Sequence, residues 1–234
     1  MTSPFLNRTT STRTPNTVQR PTPSTRYEIV SHFRSALYEI NSFKRNISLE
    51  TESDQRKKEL SSYYLRTKII MTCSAFDHYM HEILYYSFIH MKNGKIPKSK
   101  LYLEEIDGKE RYTSSTPLSV FLSRLDYVYG RKTLSSSRYW KEAIPSMGVE
   151  IDEVSRKALK EVGINGVTGN LSISRVSEEL DQKAKRRNEI VHNYDTQIFG
   201  SRNEIREETA DEYTLFFSSL VKAIDSEMEN KLKA

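Results

Sequence analysis

An all-α fold is predicted, and three observations predict it. Apolar residues recur at steps of three and four over long segments, the period of one helix face. No segment of useful length alternates apolar and polar residues as a half-buried strand does. The breaks between periodic segments fall at prolines, glycines and polar clusters, which stop helices. The 234 residues are enough for one sizeable domain with a buried core. Hydrophobic content is 36% and mean hydropathy is -0.65, values of a soluble chain. No apolar run approaches the roughly 18 residues of a membrane span.

Residues 1–26 are rich in Thr, Ser, Pro and Arg, and Pro4, Pro15, Pro21 and Pro23 prevent a helix. They are read as a disordered basic tail. Arg and Ser without acids also suit an organelle transit peptide, but these prolines deny it the amphipathic helix it needs. Arg8, Arg13, Arg20 and Arg26 carry +4 of the net charge of +5, leaving +1 for the rest. The body is therefore not a broadly basic nucleic-acid coat. An anionic partner must meet a local patch or the tail.

A single domain is expected over 27–234. From Tyr27, the residues Ile29, Phe33, Ala36, Leu37, Ile40 and Phe43 share one helical face. Thr51 or Ser53 is placed to cap the next helix. That helix, 54–92, has the strongest periodicity, with Leu65, Ile69, Cys73, Phe76, Met80, Ile83 and Ser87 in one seam. Tyr64, Tyr79, Leu84, Tyr85 and Phe88 lie off the seam, so the helix should be surrounded on most sides. Asn93-Gly94 ends it, and 93–116 reads as a polar, irregular connection. Shorter helices are expected at 117–129, around 138–144 and at 150–162. Gly163, Gly166 and Gly169 form a loop, and Ser172 caps the following helix. A last helix is expected from 203 to 231, with Ala210, Tyr213, Leu215, Phe216, Leu220 and Ile224 inward.

The chemistry-bearing residues are few. The lone cysteine, Cys73, excludes an intramolecular disulfide and a Cys-based zinc site, and a cytosolic, reducing setting is the default. The 163–169 glycines match neither the dinucleotide nor the P-loop spacing. Asp77, His78, His81 and Glu82 cluster on the long helix, but there is no HExxH pattern and no further His/Cys set. They are read as a polar flank, and neither a metal nor a cofactor is assigned.

The segment before residue 195 stands apart. Ile173, Val176, Leu180, Ala184, Val191 and Tyr194 form an apolar stripe, and Arg187 sits in its middle. A cation there must meet an anion, be buried at a cost of several kcal/mol, or face a wet cleft. His192 lies on the flank of the same helix, with Asn188 one turn before it. The Arg-x4-His spacing alone decides nothing, since chance supplies roughly 0.4 such pairs in a chain of this composition. The context decides.

Arg187-Asn188-Glu189-Ile190-Val191-His192 resembles the motif of the HEPN superfamily of α-helical ribonucleases and related proteins: Arg, a polar residue, three more, then His. Cys73-Ser74-Ala75-Phe76-Asp77 is similar to the small-residue, aromatic, acidic segment of RiboL-PSP-like HEPN proteins. The order of long helix, motif helix and last helix fits across 27–234, with 95–165 as an insertion. The resemblance implies a HEPN-like helical bundle and a homodimer whose motif helices meet in a composite, metal-independent RNA-cleaving cleft. It implies proton transfer by His192 and phosphate binding by Arg187, with Asn188 orienting one of them. Asp77, Arg186 and Tyr194 would support the site or touch substrate. RNA, possibly tRNA in the family's toxin–antitoxin and antiviral-defence settings, is the implied substrate, with an antitoxin or sensor protein as a further partner. Two other readings stay open: a non-catalytic helical module binding RNA, nucleotide or a partner protein, and an Arg187 salt-bridged to Asp77 or Glu189 inside the core.

Overall fold

The computed structural model describes residues 24–45, 53–108, 112–129, 137–150, 156, 174–192 and 203–234. Its organising element is α2 (Asp54–Lys92), a 39-residue helix. Ser53 caps its start by accepting the Arg56 N–H at 3.3 Å. At its end Asn93 N–H bonds the Ile89 carbonyl at 3.1 Å, and Gly94 turns the chain away with φ +72°. Every residue of the expected seam is buried, and so are Tyr64, Tyr79, Leu84, Tyr85 and Phe88. The helix is surrounded, as its pattern predicts.

Helix α1 (Arg26–Arg45) lies along α2. It begins with a capping box absent from the sequence reading: Thr25 N–H donates to Glu28 at 2.6 Å, and Glu28 N–H returns to the Thr25 hydroxyl at 3.3 Å. Ile29, Phe33, Leu37 and Ile40 are buried, while Phe43 is exposed and stacks on Tyr64. The last helix, Glu207–Lys233, packs on α2 and α1. Arg26 ties it to the start of α1 through Asp225 at 2.5 Å, and Tyr79 donates to the Val221 carbonyl at 3.3 Å. Leu215 was expected to face inward but is 48% exposed. The buried stripe is 210, 213, 217, 220 and 224, and Leu215 stands 200° from Phe217 on the wheel.

The connection after α2 is better packed than its polar composition suggests. Ile96, Tyr102, Ile106 and Tyr112 are buried there, around a π-helical turn at Tyr102–Asp107. The Asp107 carboxylate organises it, accepting from Lys98 at 2.6 Å and from the Tyr112 N–H at 3.1 Å. A partly buried ammonium and a buried backbone N–H on one carboxylate make irregular backbone tolerable here. Helix α3 (Leu118–Tyr129) then buries Phe121 and Leu125.

Helix α4 (Ser137–Ser146) lies against α2 and against α5 (Ser174–His192), with the C-terminal helix as α6. At this level Phe76 of α2, Trp140 of α4 and Phe217 of α6 meet pairwise, with centroids 4.5–5.5 Å apart. The described part of 95–165 thus contributes to the core. Of the expected 1–26 tail, residues 1–23 lie outside the described residues, while Arg26 opens α1. The 163–169 loop, the Ser172 cap and all of the 150–162 helix except residues 150 and 156 also lie outside them. Every regular element among the described residues is helical, and none is long and apolar enough to cross a membrane.

Candidate functional site

Helix α5 carries the motif, and its two faces meet different surroundings. Val176, Leu180 and Ala184 bury the inner face. Val191 continues their stripe but is 38% exposed in the last turn, and Ile190 is buried in its place. Lys183, 7% exposed, sits on this inner face among aromatic rings. Its ammonium lies 4.5 Å from the Tyr213 centroid and 4.9 Å from that of Phe216, and 3.3 Å from Glu179. The ring faces and one carboxylate together compensate the buried charge.

Arg187 is one turn further on and partly buried. Its Nη1 donates to Asn188 Oδ1 at 3.0 Å. Its Nε is buried with no hydrogen-bond partner among the described residues. The carboxylates expected to neutralise it are engaged elsewhere: Glu189 pairs with Arg186 at 3.4 Å, and Asp77 accepts from Trp140 Nε1 at 2.5 Å. Among the described residues no salt bridge neutralises Arg187. Its charge is nevertheless felt by α2. Burial pushes the Asp77 carboxyl up to about 6, against the opposing pull of the Trp140 hydrogen bond and of Arg187. Burial likewise raises the Cys73 thiol to about 12, with Asp77 adding to the shift and Arg187 and Lys183 opposing it. A thiol so placed is no nucleophile at neutral pH.

The outer face is open. Ser137, Asp181, Ala184, Lys185, Asn188, Glu189 and His192 line a groove of about 450 Å³ between α4 and α5. Lys141 and Ser137 hydrogen-bond Asp181 and hold it below the usual carboxylate range, with the Lys141 contact at 2.8 Å. His192 is exposed at the end of the helix.

Sequence-predicted residues are thus distributed unequally. Asn188 and His192 share the groove, one turn apart. Arg187 is not among the groove's lining and reaches it only through Asn188. Asp77 is set beneath Arg187 electrostatically and is held by Trp140, a partner 63 residues away that no local signal reveals. Arg186 pairs along its own helix with Glu189. Lys185, Ser137 and Asp181 line the groove without having been expected there. Tyr194 lies outside the described residues.

The polar flank of α2 divides. Asp77 turns inward to Trp140, His81 packs on Tyr85, and His78 and Glu82 point outward to meet His32 of α1.

No curated protein and no solved structure matches the chain. The model of the RiboL-PSP-HEPN family matches residues 31–230. That range contains the long helix, the motif helix and the last helix as far as residue 230, and the chain belongs to the RiboL-PSP-HEPN family.

Proposed function

We propose that this HEPN-type module is a metal-independent endoribonuclease that cleaves RNA by attack of its own 2′-OH. The supporting observation is the state of Arg187. It is a half-buried guanidinium on an apolar stripe, with no neutralising carboxylate among the described residues and one hydrogen bond, to Asn188. A half-buried guanidinium with no salt bridge among the described residues, acting on Asp77 only through its field, keeps donors for an anion, and phosphate oxygens match its forked geometry. Such an arrangement speaks against the inert core salt bridge.

In this mechanism His192 takes the proton of the 2′-OH, and the freed oxygen attacks the adjacent phosphorus. The phosphorane is stabilised by Arg187. The P–O5′ bond then breaks, leaving a 2′,3′-cyclic phosphate and a 5′-OH that gains a proton from an imidazolium. Asn188 fixes the Arg187 guanidinium at the edge of the His192 groove. Five positions along a helix set Arg187 and His192 about 140° apart, so a complete site within one chain is strained. A homodimer pairing two motif helices would supply Arg187 from one subunit and His192 from its partner. tRNA is the favoured substrate, in a toxin–antitoxin or antiviral-defence system with an antitoxin or sensor protein as regulator.

The same divergence of Arg187 and His192 favours a second reading, a module that binds RNA, nucleotide or a protein without cleaving. Incubation of the purified chain with tRNA and total RNA in excess EDTA separates the two. Cyclic-phosphate ends that disappear in folded Arg187→Ala and His192→Ala variants support the nuclease. Intact RNA, tightly bound, supports the module.

A further inference from the structure

We propose that His32, His78 and Glu82 form a site for one divalent cation of the zinc class, bridging α1 and α2 on the surface. Glu82 Oε2 lies 3.2 Å from His32 Nδ1 and 3.5 Å from His78 Nε2. All three donor atoms fall within 4.8 Å of one another. Zinc bonds nitrogen and oxygen at about 2.0–2.1 Å, so two ligands of a tetrahedral ion stand roughly 3.3–3.4 Å apart. The two contacts to Glu82 are close to that spacing. The imidazole nitrogens, within 4.8 Å of each other, close onto the ion by side-chain rotation.

The backbone sets this geometry before any metal arrives. His78 and Glu82 are one helical turn apart on α2 and project side by side. His32 comes from α1, held against α2 by buried Ile29, Phe33 and Leu37 on either side of it in sequence. Glu28, one turn before His32, adds negative potential there: its carboxylate interacts with the His32 charge while serving the Thr25 cap. Two imidazoles and one carboxylate suit Zn²⁺, Ni²⁺ or Cu²⁺ rather than Mg²⁺ or Ca²⁺. His32 and His78 have side chains 51% and 67% exposed. The fourth coordination position therefore faces solvent, where water completes the shell.

Metal here pins α1 to the middle of α2. The cluster is separate from the motif groove, whose lining shares none of these residues. The cation is thus expected to stabilise the helix pair and to take no part in RNA cleavage. Binding to the native state alone raises stability in proportion to saturation.

Isothermal titration of the full chain with ZnCl2, in chelator-free buffer, tests this together with thermal melts. One Zn²⁺ per chain is expected, with an affinity at least tenfold weaker in His32→Ala, in His78→Ala and in Glu82→Gln. His192→Ala should bind as wild type does. Zn²⁺ should raise the melting temperature of wild type, reversibly with EDTA, and leave that of His32→Ala unchanged. His32 and His78 are exposed and Glu82 is partly so, and circular dichroism checks that each variant is folded. No stoichiometric binding, or binding undiminished in His32→Ala, overturns the site. Binding without a rise in melting temperature overturns the clamp.

Discussion

The two faces of the motif helix are built on opposite principles. The inner face holds Lys183 over the Tyr213 and Phe216 rings and Arg187 within reach of the Asp77 carboxyl, which burial pushes up to about 6. The outer face holds Lys185, Asn188 and His192 around an open groove, where solvent screens the charges. A linear motif joins residues from both. Arg-x4-His therefore does not describe one cluster of side chains in this chain. It describes a half-buried cation and an exposed imidazole on divergent faces, with Asn188 as the hinge between them.

The largest test of this division is catalytic. Arg187→Ala and His192→Ala should each reduce RNA cleavage by about 100- to 1,000-fold, the loss typical of a phosphate-binding or proton-transferring group. Their stabilities should diverge. His192→Ala is expected to leave stability within about 0.5 kcal/mol, as surface changes do. Arg187→Leu should be inactive yet at least as stable as wild type, because an apolar group replaces a buried, unsatisfied Nε. An Arg187→Leu protein that is both stable and active would show that the half-buried cation has no catalytic task.

The second test concerns Asp77. Its carboxyl is raised from near 4 to about 6 by burial, so the folded state holds the proton more tightly than the unfolded chain does. The resulting stabilisation is complete below about pH 4 and is lost as the pH rises through about 6. The shift corresponds to a change on the order of 3 kcal/mol. Denaturant unfolding at pH 4.5 and 7.5 should show wild type gaining on Asp77→Asn at the lower pH. Parallel pH dependence in the two proteins would mean that Asp77 is better solvated than its position on the inner face implies.

Asn188→Ala tests the hinge. Removing the hydrogen bond to Arg187 frees the guanidinium without discharging it, so the effect should be near tenfold on cleavage, well short of the loss for either neighbour. Asn188→Asp should be worse, because a carboxylate beside Arg187 would compete with phosphate. Cleavage assays on the folded variants check this order. If Asn188→Ala matches wild type, the two faces work without a link.

Much of this arrangement was legible in the sequence, and the reason is periodicity. The α2 seam and Arg187 on its apolar stripe both follow from 100° per residue. What escaped has long sequence separation. Trp140 meets Asp77 across 63 residues, and His32 meets Glu82 across 50. A helix period fixes the face of each residue but not which faces meet. The polar tract after α2 was misjudged for a related reason: Asp107 neutralises Lys98 and holds the Tyr112 N–H, so polar residues there serve a core. Leu215 shows the converse, since apolar character alone does not place a side chain inward.

The smallest expected effect lies at the floor of the inner face. Trp140→Phe keeps a ring against Phe76 and Phe217 but removes the indole N–H that Asp77 accepts from. That hydrogen bond favours the ionised carboxylate, so its loss should move Asp77 further above 6, with Arg187 left as the opposing charge. At neutral pH the change should cost about 1 kcal/mol, and it should shrink as Asp77 becomes protonated at lower pH. A carboxyl-carbon NMR titration follows Asp77 directly. An upward move in Trp140→Phe, and a second upward move in Arg187→Leu, would assign the two opposing pulls separately. If Arg187→Leu leaves the Asp77 titration where it was, the guanidinium does not reach the inner floor, and the boundary between the two faces must be drawn above it.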